Sequence, residues 1–150
     1  MRRKKLQTGF TISETLLSVF LIGSAATIVG ATMPVASVSK SKAMYTTLAA
    51  NYAQKQIEQI KVLEYGNLTP ARLLEAKLID SVTPISGTTY AMTTVDSEVS
   101  GNIARLLPSG TATLTVTQPN NELKQVEINI SWSERGKARS YKVGTLVANL

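Results

Sequence analysis

The feature that most constrains this chain is an uncharged stretch near its start: residues 16 to 38 contain no Asp, Glu, Lys or Arg. A helix rises ~1.5 Å per residue, so a segment of this length crosses the roughly 30 Å hydrocarbon core of a bilayer. A chain with such a segment has one part suited to lipid and another that must fold in water. The remainder of the 150 residues can hold one domain with a real core.

The flanks orient the segment. Residues 1–9, MRRKKLQTG, are basic and polar, whereas only Lys40 and Lys42 follow closely on the other side. This asymmetry predicts a cytoplasmic N-terminus and a C-terminal domain across the membrane. It also disposes of the net charge of +6: Arg2, Arg3, Lys4 and Lys5 are four of the 16 Lys and Arg, leaving 12 against 10 Asp and Glu. A balance of +2 is too small to define a phosphate-binding footprint. The chain has no cysteine and no histidine, which excludes thiol nucleophiles, disulfides, Cys/His zinc sites and Ser-His-Asp triads.

The helical pattern outlasts the uncharged stretch. Tyr45, Leu48, Ala49, Tyr52, Ala53, Ile57 and Ile60 recur at three- and four-residue spacing, with Lys55, Glu58, Gln59 and Lys61 between them. The spacing predicts one helix from about Phe10 to Glu64, ~80 Å long, kinked at Pro34 and stopped at Gly66. Thr69 and Pro70 suit an N-cap and first helical position, predicting a short second helix over residues 71–79 with Leu73, Leu74 and Leu78.

Beyond Ser86 and Gly87 the period falls to two. Residues 88–95 are β-prone, and residues 111–117 alternate Thr outward with Ala112, Leu114 and Val116 inward. Val126, Ile128, Ile130 and Trp132 alternate with Gln125, Glu127, Asn129 and Ser131; after the turn residues 134–137, Tyr141, Val143 and Val147 share a face. The expected fold is α+β: a long N-terminal helix, with a membrane-spanning half and an amphipathic half, packed against an antiparallel sheet of about four strands. The expected division is a basic leader over 1–9, an apolar half-helix over 10–38, and a soluble domain over 39–150.

The string that carries function runs through residues 4–17, KKLQTGFTISETLL, where Glu14 stands at the start of the apolar helix. A charge at the centre of a membrane helix costs roughly 2.5–3.5 kcal/mol on insertion scales, so this carboxylate needs a partner or a proton. An ordinary secretory signal has a shorter h-region without such an interruption. The string resembles the N-terminal signature of the type IV pilin family, a basic leader ending in Gly, then Phe, Thr and an apolar run with Glu as fifth mature residue; Gly9, Phe10, Thr11 and Glu14 match it. The resemblance covers about the first 65 residues. Ser13 and Thr15 stand where bulky aliphatics are usual, and no C-terminal disulfide loop can form, which places the likeness nearest to minor pilins and the minor pseudopilins of type II secretion.

That resemblance implies cleavage by a prepilin peptidase between Gly9 and Phe10 and N-methylation of Phe10. The Phe10 ammonium and Glu14 of neighbouring subunits would then neutralise each other in the assembled helix bundle. The implied partners are the membrane, the prepilin peptidase, other pilin or pseudopilin subunits and the assembly machinery. The implied location is the cytoplasmic membrane, then a filament in the periplasm or at the cell surface, with no catalysis and no cofactor. Gly23, Ala26 and Gly30 would permit close helix packing.

Arg135, Lys137 and Arg139, with Lys142, cluster at the last hairpin and define an alternative: a filament-tip adhesin or DNA receptor that uses the pilin helix as an anchor. Charged turns also serve solubility alone. Asp96 and Glu98 lack a ligand loop, so no metal is assigned. Trp132 falls in step with Val126, Ile128 and Ile130 and is expected in the core, not on an aromatic binding surface with Tyr141 and Tyr90.

Overall fold

The structure, a computed structural model, describes residues 11–95 and 102–149. The chain divides into two compact units, Met1–Ser41 and Lys42–Leu150. Helix α1 (Ile12–Val62) supplies the described part of the first unit and the opening of the second. It stays helical through position 34.

In the second unit follow α2 (Pro70–Glu75), β1 (Thr89–Ala91), α3 (Ile103–Leu106), β2 (Thr111–Asn120), β3 (Leu123–Glu134) and β4 (Lys137–Ala148). The four strands form one antiparallel sheet in the order β1-β2-β3-β4. The period-two reading of the sequence holds: Ala112, Leu114, Val126, Ile128, Ile130 and Trp132 are buried, while their neighbours along the strands are partly exposed. The stripe Ala49, Tyr52, Ala53, Ile57 and Ile60 of α1 is buried in the same core cluster. Sheet and stripe each have one apolar face, and neither is stable in water uncovered.

Where the elements end differs from expectation, for local physical reasons. α1 stops at Val62, and the left-handed residue beyond it is Glu64 (φ 57), not Gly66. The second helix stops at Glu75 instead of 79: Lys77 adopts φ 55, its N–H donates to the Leu74 carbonyl (2.9 Å), and the Leu78 N–H donates to the Leu73 carbonyl (2.8 Å). This is a Schellman closure, and Leu73 and Leu78, both buried, make its characteristic apolar pairing. Thr69 holds the N-cap backbone conformation, yet its side chain caps nothing.

β1 is three residues long, far shorter than the β-prone 88–95 run. Asp80 ends it, its carboxylate accepting from the Thr93 N–H (2.8 Å), the Thr94 N–H (2.9 Å) and the Thr94 hydroxyl (2.6 Å). Backbone donors captured by a side chain no longer serve the ladder. α3 was not foreseen; Asn102 caps it by accepting from the Arg105 N–H (3.1 Å). Gly110 is required just after it, because a Cβ there would lie 2.4 Å from the Ile103 carbonyl oxygen.

Candidate functional site

The first candidate site is the start of α1. Gly9 and Phe10, the expected cleavage and methylation positions, lie outside the described residues, as do Asp96 and Glu98. Glu14 is described, in the first turn of α1. Its N–H donates to the Thr11 carbonyl (3.0 Å) and approaches the Thr11 hydroxyl (3.4 Å), so Thr11 occupies the N-cap and Glu14 the third helical position. Thr-x-x-Glu is the spacing of a capping box, of which only the Thr11 half is made, and a carboxylate here also faces the positive end of the helix dipole. Among the described residues the carboxylate itself has no ion-pair or hydrogen-bond partner.

Beyond Glu14 the helix satisfies its own polar groups. The hydroxyls of Thr15, Ser18, Ser24, Thr27 and Thr32 donate to the carbonyls of Ile12, Glu14, Leu21, Ser24 and Val29 at 2.7–3.1 Å. In hydrocarbon no water could take those protons, so such back-bonding makes Ser and Thr compatible with lipid. Every residue from 11 to 33 except Ser24 is exposed in the chain, including Leu16, Leu17, Val19, Phe20, Leu21 and Ile22. One helix of this structure is thus long and apolar enough to cross a membrane. A Cβ built at Gly23 or Gly30 meets nothing within 4 Å, so these glycines relieve no crowding within the chain.

The second candidate is the β3–β4 connection. Glu134 and Lys137 face each other as the last strand pair, leaving a two-residue turn in which Arg135 (φ 50) and Gly136 (φ 75) are both left-handed. Turns with two left-handed residues match the twist of the strands they join. The three cations of the hairpin have different surroundings. Arg139 lies opposite Trp132 in the ladder, and its Nε is 3.6 Å from Oε2 of Glu134.

Glu134, read in the sequence as part of the turn, prolongs the buried alternation of β3 and is only 7% exposed. Its Oε1, like the Trp132 Nε1, has no partner among the described residues. Lys142 pairs on the other face with Glu127 at 2.8 Å. Arg135 and Lys137 pair with no carboxylate among the described residues. Trp132 is buried as expected, and Tyr90 with it.

A further polar group is hidden in the α1 stripe: Gln56 is fully buried, and neither Nε2 nor Oε1 has a partner among the described residues. No group of three or more acidic, His or Cys residues positioned to hold a metal ion occurs among the described residues. No protein-family model, curated protein or solved structure matches the chain.

Proposed function

We propose that this chain is a prepilin-type structural subunit, a minor pilin or pseudopilin that enters a filament of the type IV pilus or type II secretion kind through its N-terminal helix. The observation that carries the reading is the first half of α1. Among the described residues, a carboxylate stands without a partner in its first turn, and the large apolar side chains, distributed all round the helix, are exposed. A helix apolar on every side requires lipid or other helices around it. Lipid alone leaves Glu14 unmatched; a bundle of like helices, each bringing the new ammonium of Phe10, pairs both charges. The open backbone at Gly23 and Gly30 admits close neighbours in such a bundle.

In this reading the basic leader is cut between Gly9 and Phe10 on the cytoplasmic side, Phe10 is N-methylated, and the soluble unit faces outward until the assembly machinery lifts the subunit into the filament. The subunit's work is structural. The test is the intact mass and N-terminal sequence of the protein from its native membrane. A chain that begins at N-methylated Phe10 supports the assignment; one that begins at Met1, or after the apolar segment, makes it an ordinary anchored or secreted protein. Glu14→Ala should leave membrane insertion intact and abolish incorporation into filaments.

A further inference from the structure

Within the Lys42–Leu150 unit, two hydrogen bonds fix how α1 lies along the sheet. The Tyr52 hydroxyl donates to the Met92 carbonyl (3.3 Å), and Met92 is itself tied through its N–H to the Ala112 carbonyl (3.0 Å). Thirteen residues further along the chain, the Tyr65 hydroxyl donates to the Asn121 carbonyl (2.7 Å) in the β2–β3 turn. From Tyr52 onward the chain therefore runs along the sheet from the level of Ala112 and its partner Ile130 toward the β2–β3 turn. Helix residues 42–51 of the same unit extend the other way, toward the β3–β4 turn. Lys42 precedes Tyr52 by ~15 Å of helix at 1.5 Å per residue. Arg135 follows Ile130 by about 17 Å of strand at ~3.3 Å per residue. Lys42 and the β3–β4 turn thus occupy the same end of the unit, the end at which the chain arrives from the apolar segment.

Among the described residues that end is cationic. Lys42, Arg135 and Lys137 have no carboxylate partner among the described residues, and Arg139 joins them while neutralising the buried Glu134. Lys40 lies two residues before Lys42 in the sequence. The opposite end mixes signs, with Lys61 and Glu64 near the end of α1 and Glu122 and Lys124 at the β2–β3 turn. A solvated surface needs no such segregation of charge, whereas an anionic surface next to Lys42 would attract it.

We propose that this cationic end rests on anionic lipid headgroups, through Arg135 and Lys137 together with Lys42, while the subunit sits in the membrane. The inference depends on the membrane reading given above. It assigns the hairpin cations to the bilayer in preference to nucleic acid, because they lie at the Lys42 end of the unit. The attraction acts within about a Debye length, ~8 Å at physiological salt, so it holds the unit down only while the subunit remains inserted.

The test uses the full chain in nanodiscs. The protein has no native cysteine, so single labels are placed at Ala138→Cys, beside the turn, and at Asn121→Cys, at the opposite end. Energy transfer is read to a headgroup-labelled lipid, in neutral phosphatidylcholine and in discs enriched in phosphatidylglycerol. Transfer from position 138 should rise about twofold in the anionic discs and fall back at high salt or in Arg135→Gln/Lys137→Gln, with position 121 unaffected. Trp132 emission, unchanged by the double substitution, reports that the unit is folded.

Equal transfer in both lipids, or a gain that survives the double substitution, overturns the proposal. So does loss of the gain on adding inorganic phosphate at constant ionic strength, which would mark a phosphate site instead of a surface. Duplex DNA binding that needs Arg135 and Lys137 while transfer ignores lipid charge would assign the patch to nucleic acid. A chain that does not enter the discs at all removes the membrane reading itself; one that enters without charge-dependent transfer removes only this inference.

Discussion

Along α1, residues 12–33 and residues 49–60 are both rich in apolar side chains, yet Leu16, Phe20 and Ile28 are 66, 71 and 65% exposed whereas Ala49, Tyr52, Ala53, Ile57 and Ile60 are buried. The difference lies in distribution, not in amount. Leu16, Leu17, Val19, Phe20, Leu21 and Ile22 point in every direction around the helix, and no single sheet can cover them all. The later residues follow the three- and four-residue spacing of one stripe, which one sheet covers completely. The first region is therefore matched to an environment on all sides, the second to a single neighbour on one side.

The comparison breaks most directly at paired positions. Ile60→Ala should lower the stability of the Lys42–Leu150 unit by about 2–5 kcal/mol, while Ile28→Ala leaves it unchanged. Urea unfolding in detergent, followed through Trp132, the one tryptophan and a buried one, reads both. An equal loss at Ile28 would mean that the exposed region also contributes to the stability of the Lys42–Leu150 unit.

Arg139→Gln comes next, with a loss of about 1–3 kcal/mol, because it strips a buried carboxylate of its partner. Arg135→Gln, which removes an unpaired cation from the same hairpin, should cost almost nothing by the same measurement. Gln56→Met tests the buried stripe from the other side. Replacing an amide that has no described partner should stabilise the unit by about 1 kcal/mol. Destabilisation would show that the amide is bonded in the folded unit.

The smallest effect is expected at Lys77→Gly. There the relief of a left-handed backbone at the Schellman closure should raise stability by a few tenths to about 1 kcal/mol, partly offset by the added freedom of the unfolded chain. No gain, or a loss, would mean that the lysine side chain contributes more than its backbone conformation costs.

Much of this was legible in residue patterns. The alternation of β3 predicted the burial of Val126, Ile128, Ile130 and Trp132, and residues 134–137 identified the last turn. The helix spacing found most of the α1 stripe. It missed Gln56, which stands on the same stripe but is polar, and Glu134, which continues the β3 period one step beyond where its charge suggested a turn. Helix ends were misjudged because the stop at Gly66 was inferred from conformational preference, whereas Glu64 and Lys77 take left-handed conformations that local hydrogen bonds and the Leu73–Leu78 pairing hold in place. At the start of α1, the Thr11 to Glu14 spacing is that of a capping box, of which the structure makes only the Thr11 half.

The sequence by itself determined the periods: a charge-free span long enough for a bilayer, one apolar stripe after it, and strands that alternate. These follow from backbone geometry and side-chain polarity, which are local properties. Only the tertiary structure decided where the ladder stops at Asp80, which glutamine and glutamate are buried, and that the hairpin cations lie at the Lys42 end of the Lys42–Leu150 unit. Those outcomes depend on contacts between residues far apart in the chain, and no local pattern encodes which distant groups will meet.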